Sequence, residues 1–205
     1  MKRGMFIVFE GIDGSGKSTQ AKMLKEALER NGIDALLTKE PTDGPIGQII
    51  RKGLRNEMNL SMRTLQLLFT ADRSYHLENT IIPALRRGKV VISDRYFYST
   101  IAYGMLELEK EWLKKINSKF LEPDVVLFID TDPEISLQRL STSGKIKEKF
   151  EELDKLKKVR DNYLEISREY KNFYVIDGNR STEEIHKNIL KIIRSICTDL
   201  SNSIY

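Results

Sequence analysis

The sequence predicts an α/β fold in which a five-stranded parallel sheet is flanked by helices. Five short runs rich in β-branched and aromatic residues recur along the 205 residues, and stretches with helical spacing separate them. This alternation is typical of a parallel α/β sheet. A Gly-rich turn also follows the first run directly. No repeat or Pro/Gly/Ser-rich linker divides the chain, so we expect one domain over residues 1–205.

The predicted strands and helices follow one another in a regular order. Ser61 is the predicted N-cap of a long helix that ends near Gly88, and Ser181 with Glu184 forms a capping box that begins the last helix. Ligands of such a sheet bind at the carboxyl ends of its strands. The predicted strands are residues 6–9, 35–38, 90–93, 125–129 and 173–176, and further helical stretches are residues 18–31 and 150–170.

Composition restricts the classes of function. The chain has 34 basic and 30 acidic residues, and this near balance is weak evidence for a nucleic acid partner, so we expect none. No apolar stretch approaches the length of a membrane span, and the first apolar run is too short for a signal peptide. The single Cys197 excludes an internal disulfide, and no Cys/His cluster is available for zinc. We expect a cytoplasmic protein without a membrane partner.

Residues 11–18 read GIDGSGKS, a complete G-x-x-x-x-G-K-S/T loop between the first strand and the first helix. Its glycines let backbone N–H groups turn toward a phosphate, and the helix directs its positive end at the same point. We predict that Lys17 reaches the β- and γ-phosphates of a nucleoside triphosphate and that Ser18 binds Mg²⁺. The predicted cradle consists of Gly11, Ile12, Asp13, Gly14, Ser15, Gly16, Lys17, Ser18 and Thr19.

Two further pairs of side chains have the chemistry of a phosphate or base site. Asp94 and Arg95 end the third strand, where the carboxylate can hold the water shell of Mg²⁺ and the guanidinium can bind a second phosphate. The alternative is an ion pair that closes the strand. Phe69 and Arg73 lie four apart on one helix face, where they can stack on a base and bind its oxygen. The alternative is a core aromatic beside a surface arginine.

Six segments in order carry a resemblance to a known family. They read FEGIDGSGKSTQ, EP at 40–41, LLFTADR at 67–73, SDRYFYSTIAYG at 93–104, PDVVLFIDTDPE at 123–134 and VRDNYLEIS at 159–167. Together they resemble the thymidylate kinases, which transfer the γ-phosphoryl group of ATP to dTMP to give dTDP. The resemblance implies a P-loop kinase fold with a mobile lid, ATP as donor, Mg²⁺ as cofactor and dTMP as acceptor. It also implies a homodimer. The helix faces around Leu65 and Leu68 are candidates for its interface, and the same positions would serve the core of a monomer equally well.

The resemblance implies a role for each residue of the acceptor site. Phe69 would stack on thymine, and Arg73 would bind its carbonyl oxygen. Arg95 would bind the dTMP phosphate while Asp94 supports Mg²⁺. In the same way Asp13 would receive the sugar 3′-hydroxyl, Tyr103 would crowd the 2′ position, Glu40 would lie near the acceptor phosphate, and Arg51 and Thr100 would complete the substrate set. Many relatives read AYQ where this chain has Gly104 after Tyr103, so one polar contact to thymine is missing or replaced.

A lid is predicted at residues 141–149. Asp13 is followed by Gly14 and not by an arginine, so the lid is expected to bring cations to the transferred phosphoryl group. The lid contains no arginine, and its candidates are Lys145 and Lys147, with Lys149 just beyond them. Because lysine lacks the guanidinium fork, the flanking Arg139 and Arg160 stay open as alternatives. The resemblance places adenine between Arg139 and a turn that contains Asn179 and Arg180.

Two other functions stay open at this point. A related kinase on the same scaffold would act on dUMP, dGMP or an unphosphorylated nucleoside. Arg95 favours a monophosphate acceptor, and Phe69 with Arg73 favours a pyrimidine. A P-loop switch module would instead hydrolyse ATP slowly and signal to a partner, without any acceptor. The complete set of Lys17, Ser18 and Asp94 favours a catalytic protein over a silent binding relative.

Overall fold

The computed structural model describes residues 3–142 and 149–202. Its centre is a five-stranded parallel sheet with the strand order β2-β3-β1-β4-β5, which confirms the predicted fold class. Each strand runs one residue further than the predicted apolar run, and in every case the added residue is charged. The strands are β1 Phe6–Glu10, β2 Ala35–Lys39, β3 Val90–Asp94, β4 Val125–Asp130 and β5 Phe173–Asp177.

Helices cover both faces of this sheet. The predicted N-cap is confirmed at Ser61, whose hydroxyl accepts a hydrogen bond from the backbone N–H of Thr64 at 3.2 Å. The capping box is also confirmed, because Ser181 and Glu184 each bind the backbone N–H of the other. The helices are α1 Lys17–Arg30, α2 Pro45–Leu54, α3 Met62–His76, α4 Ile82–Arg86, α5 Phe97–Gly104, α6 Lys110–Asn117, α7 Pro133–Thr142, α8 Lys149–Ser167 and α9 Thr182–Asn202.

The predicted long helix after Ser61 is divided into two α-helices. A π-helical turn at Leu77–Ile81 separates α3 from α4. Pro83 follows this turn, and a proline cannot donate to the carbonyl four residues before it. A local widening of the helix by one residue accommodates the lost bond without ending the helical path.

The core has one layer on each side of the sheet. Successive residues of β1 point to opposite faces, so Phe6 and Val8 join one layer while Ile7 and Phe9 join the other. The first layer lies under α4, α5 and α8, and the second lies under α1 and α9. Both faces of the central strands are therefore apolar, as expected for a buried parallel sheet. Within the described residues, no helix has the length and apolar character needed to cross a membrane.

The order of the strands positions the site. β1 and β3 are neighbours, and Phe9 pairs with Asp94 in their register. The loop that follows β1 and the Asp94-Arg95 pair that ends β3 therefore lie side by side at the carboxyl edge. The sheet brings together the two sequence motifs that predicted phosphate chemistry.

Candidate active site

The phosphate loop has the backbone that a cradle requires. Gly14 and Gly16 have φ angles of 82° and 95°, in the left-handed region that favours glycine. A Cβ atom at Gly14 would also lie 2.5 Å from the carbonyl oxygen of Ser136, so only glycine fits there. Gly16 directly precedes α1, while Thr19 is exposed in its first turn. The loop therefore presents its backbone and the N-terminus of α1 to the same space.

Lys17 lies within this loop and is only 6% exposed. Its Nζ donates a hydrogen bond to the carbonyl oxygen of Ile12 at 3.1 Å and lies 3.9 Å from the Asp13 carboxylate. Burial and the nearby positive charge of Arg95 lower the pKa of Lys17 to about 8. An anionic phosphate in the loop would add a second negative charge near this buried ammonium group.

Ser18 and Asp94 meet where the sequence predicts a metal. The Ser18 hydroxyl donates to Asp94 Oδ2, and Asp94 Oδ1 is buried with no hydrogen-bond partner among the described residues. A buried carboxylate oxygen without a partner is unfavourable unless a cation or an ordered water binds it. Mg²⁺ prefers oxygen ligands and is usually held by one or two protein oxygens together with phosphates and waters. These two residues therefore fit the predicted ion.

Arg95 follows β3 in a conformation that is rare for a residue with a side chain, because its φ angle is 74°. Its Nη2 donates to Asp13 Oδ1 at 2.6 Å, and its Nη1 donates to Ser99 Oγ at 2.8 Å and to the Gly11 carbonyl oxygen at 3.2 Å. The guanidinium also lies over the Tyr103 ring, 5.1 Å from its centroid. Strain of this kind is typical of functional sites.

Asp13 is the point where the two cations of the site meet. Burial against neighbouring protein atoms would by itself raise the pKa of Asp13. The positive charges of Arg95 and Lys17 outweigh this effect and lower the pKa well below its usual range. Tyr103 donates to the other carboxylate oxygen at 3.1 Å. Asp13 is therefore ionised and half-exposed, with its charge balanced by groups on both sides.

Glu10 forms a buried layer behind Arg95 that the sequence analysis did not include. This carboxylate is 0% exposed, and burial raises its pKa although Arg95 opposes the shift. Its oxygens accept hydrogen bonds from the backbone of Tyr96 and Ser99, from the Ser99 hydroxyl and from the Tyr163 hydroxyl. The sequence feature that could have indicated Glu10 is a charged residue at the end of an otherwise apolar central strand.

Arg73 is a buried residue, only 1% exposed, which excludes the interpretation as a surface arginine. Its Nε donates to Glu40 at 2.9 Å, its Nη1 to Asn117 at 2.6 Å and its Nη2 to Thr100 at 2.9 Å. The second oxygen of Glu40 lies 3.1 Å from Nδ1 of His76. The predicted residues Glu40 and Thr100 thus converge on Arg73. Asn117 and His76, which no sequence motif indicated, complete this cluster.

The remaining predicted acceptor residues border this cluster. Phe69 is half-buried, one helical turn before Arg73 on α3. Arg51 lies on α2, and its guanidinium donates to the carbonyl oxygens of Pro41 and Thr42, with 2.6 Å between Nη2 and the Pro41 oxygen. Arg51 therefore fixes the loop after β2.

Comparison with known proteins decides which family carries these motifs. The family model for thymidylate kinase matches residues 9–189. The chain belongs to the thymidylate kinase family. It is 43% identical over 198 residues to a probable thymidylate kinase of Pyrococcus abyssi, across 94% of this chain and 97% of the relative. It is 42% identical over 198 residues to a probable thymidylate kinase of Methanocaldococcus jannaschii, across 96% and 99% of the two chains. A thymidylate kinase of Fervidobacterium nodosum is 37% identical over 196 residues, across 93% and 99%.

Gly104, the residue after Tyr103, lies in a closely packed position. A Cβ atom at this position would lie 2.6 Å from a methyl carbon of Leu113 and 3.3 Å from the amide carbon of Gln66. The end of α5 therefore packs closely against α6 and α3. A glutamine at this position would require these neighbours to move, so residue 104 does not supply the missing polar contact.

The predicted lid cations and their flanking alternatives lie only partly in the described part of the chain. Lys145 and Lys147 fall outside the described residues. Arg160 forms a bidentate ion pair with Asp130, with nitrogen–oxygen distances of 2.5 and 2.9 Å. This pairing joins α8 to the end of β4 and occupies the guanidinium fork of Arg160.

The predicted adenine-binding residues lie beside the phosphate loop. The Arg139 guanidinium donates long hydrogen bonds of 3.4 Å to the carbonyl oxygens of Ser15 and Gly178. Asn179 accepts from the backbone N–H of Asp132 at 2.8 Å, and Arg180 is exposed and pairs with Asp177. Arg139 therefore spans the gap between the phosphate loop and the turn after β5.

Proposed function

We propose that this chain is an ATP-dependent dTMP kinase, which transfers the γ-phosphoryl group of ATP to dTMP and releases dTDP and ADP. The observation that carries the proposal is the meeting of two cations at one carboxylate. Asp13 lies 2.6 Å from the Arg95 guanidinium and 3.9 Å from the Lys17 ammonium. One cation belongs to the phosphate loop and the other directly follows β3, so a donor phosphate and an acceptor phosphate can bind side by side.

The proposed reaction is an in-line attack of a dTMP phosphate oxygen on the γ-phosphorus of ATP. The acceptor phosphate is largely ionised near neutral pH, so no general base is required. Catalysis then consists of aligning the two phosphates and balancing the negative charge between them. In this proposal Lys17 stabilises the donor phosphates, Arg95 holds the acceptor phosphate, and Lys145 and Lys147 stay the predicted sources of further positive charge.

Ser18 and Asp94 are the residues proposed to hold Mg²⁺, which would neutralise charge on the donor phosphates when bound. Arg139, with Asn179 and Arg180 on the turn after β5, is the proposed border of the adenine site. The residues that bind dTMP in this proposal are Asp13, Glu40, Arg51, Phe69, Arg73, Arg95, Thr100 and Tyr103. We also propose a cytoplasmic location, which the single cysteine and the nucleotide substrates support.

Phosphorus NMR of the reaction mixture tests this function directly. With ATP, Mg²⁺ and dTMP, the proposal requires equal amounts of ADP and dTDP, because one phosphoryl group moves between two nucleotides. Accumulation of ADP with inorganic phosphate, and no dTDP, would support a switch module that hydrolyses ATP. Transfer to dUMP or dGMP in preference to dTMP would support the related nucleotide kinase.

Selection against ribonucleotides is expected to depend on the Tyr103 ring. The Tyr103 hydroxyl donates to Asp13, which is the proposed partner of the sugar 3′-hydroxyl. In this proposal the Tyr103 ring therefore occupies the space that a 2′-hydroxyl would need. Tyr103→Ala should reduce the preference for dTMP over its ribonucleotide about tenfold or more, measured as a ratio of kcat/KM values. Tyr103→Phe keeps the ring and is the matched control, so it should keep the preference. Equal ratios in wild type and Tyr103→Ala would exclude a steric role.

We propose that a second copy of this chain covers an apolar surface on α2, α3 and the loop between them. The members of this α2–α3 surface are large side chains that are each at least 39% exposed, namely Ile49, Leu54, Met58, Leu67 and Tyr75. Leu65 was predicted as a candidate for the dimer interface. It is buried, and its methyl carbon lies next to Gly53 of α2. Leu65 is therefore a core residue, and Leu67 is the better probe of an interface.

Light scattering tests the homodimer. Leu67→Asp should shift the mass from two chains to one at micromolar concentration, because a charge in an apolar interface is costly. Val175 on β5 is 49% exposed, like Leu67, and Val175→Asp is the matched control that should leave the mass unchanged. A wild-type mass of one chain would contradict the homodimer.

A further inference from the structure

The contacts of Arg95 fall into two layers. On the exposed side, its Nη2 contacts Asp13 and the Tyr103 hydroxyl, at 2.6 and 3.3 Å. On the buried side, its Nη1 donates to the hydroxyls of Ser99 and Tyr163, at 2.8 and 3.3 Å. The direction of the guanidinium therefore depends on the half-buried Ser99 and the buried Tyr163 as well as on the exposed Asp13.

Both hydroxyls donate to the same oxygen of Glu10. Ser99 donates to Glu10 Oε2 at 2.6 Å, and Tyr163 donates to it at 2.8 Å. The two hydroxyl oxygens also lie 2.7 Å from each other, within hydrogen-bond distance. Because each hydroxyl has a single hydrogen and the carboxylate offers acceptors, the hydrogens of the pair are directed toward Glu10 or toward each other. The lone pairs of both hydroxyls then stay available to accept from Arg95.

The other oxygen of Glu10 binds backbone groups. Glu10 Oε1 accepts from the backbone N–H groups of Tyr96 and Ser99, at 2.9 and 3.2 Å. These groups lie at the beginning of α5, where a carboxylate is favourable. One oxygen thus holds the backbone that follows Arg95, while the other oxygen orients the hydroxyls that hold its side chain.

We infer that Glu10 is a positioning residue for the acceptor phosphate, and that it acts on Arg95 through the hydroxyls of Ser99 and Tyr163. This inference rests on the proposed function, because it takes Arg95 as the residue that binds the dTMP phosphate. The backbone of Arg95 is strained, with a φ angle of 74°, and a network that holds its side chain in one direction accounts for this strain. The left-handed conformation directs the side chain into the site, and the buried layer restricts the directions in which the guanidinium can donate.

The two branches of the network can be separated by mutation. Glu10→Gln removes the charge and affects both branches. Ser99→Ala combined with Tyr163→Phe removes the two hydroxyls and keeps the carboxylate at the start of α5. Tyr98 is also fully buried on α5, but it packs against Tyr170 and Phe173, so Tyr98→Phe is the matched control for loss of a buried tyrosine hydroxyl.

Calorimetric affinities for dTMP and for thymidine test the inference, because thymidine has the same base and sugar but no phosphate. Glu10→Gln and the Ser99→Ala/Tyr163→Phe variant should each weaken dTMP binding about tenfold or more and leave thymidine binding within about twofold of wild type. Tyr98→Phe should change neither affinity. A parallel loss of dTMP and thymidine binding would show that the network only supports the fold, and would overturn the inference, as would unchanged dTMP affinity in the double variant.

An Arg95→Ala background provides a second measurement. If Glu10 acts through Arg95, Glu10→Gln should cause no further loss of dTMP affinity in this background. A further tenfold loss there would contradict the inference.

Measurements on the wild-type protein distinguish failure of the proposed function from failure of the inference alone. A wild type that neither binds nor phosphorylates dTMP overturns the proposed function and the inference with it. A wild type that does both, with variants that keep the ratio of dTMP to thymidine affinity, overturns the inference alone.

Discussion

Arg95→Ala is expected to lower kcat/KM for dTMP by about a thousandfold, and to weaken dTMP binding as well. The substitution removes a fork of charged donors that the fold aims with a strained backbone and two layers of contacts. Steady-state kinetics with varied dTMP, together with calorimetric titration of dTMP, measure both effects.

The matched control for this prediction is Arg95→Lys. Lysine keeps the charge but lacks the planar fork, so its activity should fall between those of wild type and Arg95→Ala. The alanine variant is expected to keep the affinity for ATP, because its donor residues are untouched. Unchanged dTMP affinity in Arg95→Ala would mean that the arginine serves only as the ion-pair partner of Asp13.

Lys17→Ala is expected to abolish turnover while the fold survives. The ammonium group is buried in the phosphate loop, and we expect no other side chain of the loop to replace its charge on the donor phosphates. Circular dichroism should give a native spectrum for the variant. A wild-type rate would remove Lys17 from the reaction, and the whole assignment of the phosphate loop with it.

The pH dependence of stability provides a separate test of the Lys17 environment. Folding lowers the pKa of Lys17 from 10.5 to about 8, so the folded protein disfavours the charged form. Below about pH 8 the full cost is present, and it disappears as the pH rises from about 8 to 10.5. The free energy of unfolding of wild type should therefore gain up to about 3 kcal/mol from this group across that interval. Urea unfolding of Lys17→Ala at both pH values should lack this gain.

The sheet could be predicted from sequence because each strand of a buried parallel sheet is a short apolar run bounded by polar residues. The one-residue extensions were not predicted, since Glu10, Asp94 and Asp130 break the apolar pattern on which the prediction depends. Two of these charged ends, Glu10 and Asp94, belong to the site or to the layer behind it. The π-helical turn at Leu77–Ile81 was also missed, because a hydrophobic pattern does not register one inserted residue.

The residues of the site likewise fall into those that the sequence predicted and those that it did not. Lys17, Ser18, Asp94 and Arg95 could be predicted because each motif is continuous in sequence and the parallel order brings the two motifs to one edge. The layer of Glu10, Ser99 and Tyr163 could not be predicted, since its members come from β1, α5 and α8 and meet only through packing.

The burial of Arg73 could likewise not be predicted from the sequence. A guanidinium in the interior needs partners that satisfy its donors, and these partners come from distant parts of the chain. Asn117 on α6 and Glu40 after β2 supply them, together with Thr100 of α5. The helix face that pairs Phe69 with Arg73 was visible in the sequence, but the cluster that surrounds the arginine was not.

The central claim is the transfer of a phosphoryl group from ATP to dTMP, and a coupled assay of ADP release tests it most directly. The assay contains ATP and Mg²⁺ with dTMP, dUMP, dGMP, UMP, thymidine or no acceptor. We predict rapid release with dTMP, slow release with the other acceptors and almost none without an acceptor. Release that does not depend on an acceptor, or a preference for another nucleotide over dTMP, would contradict the account.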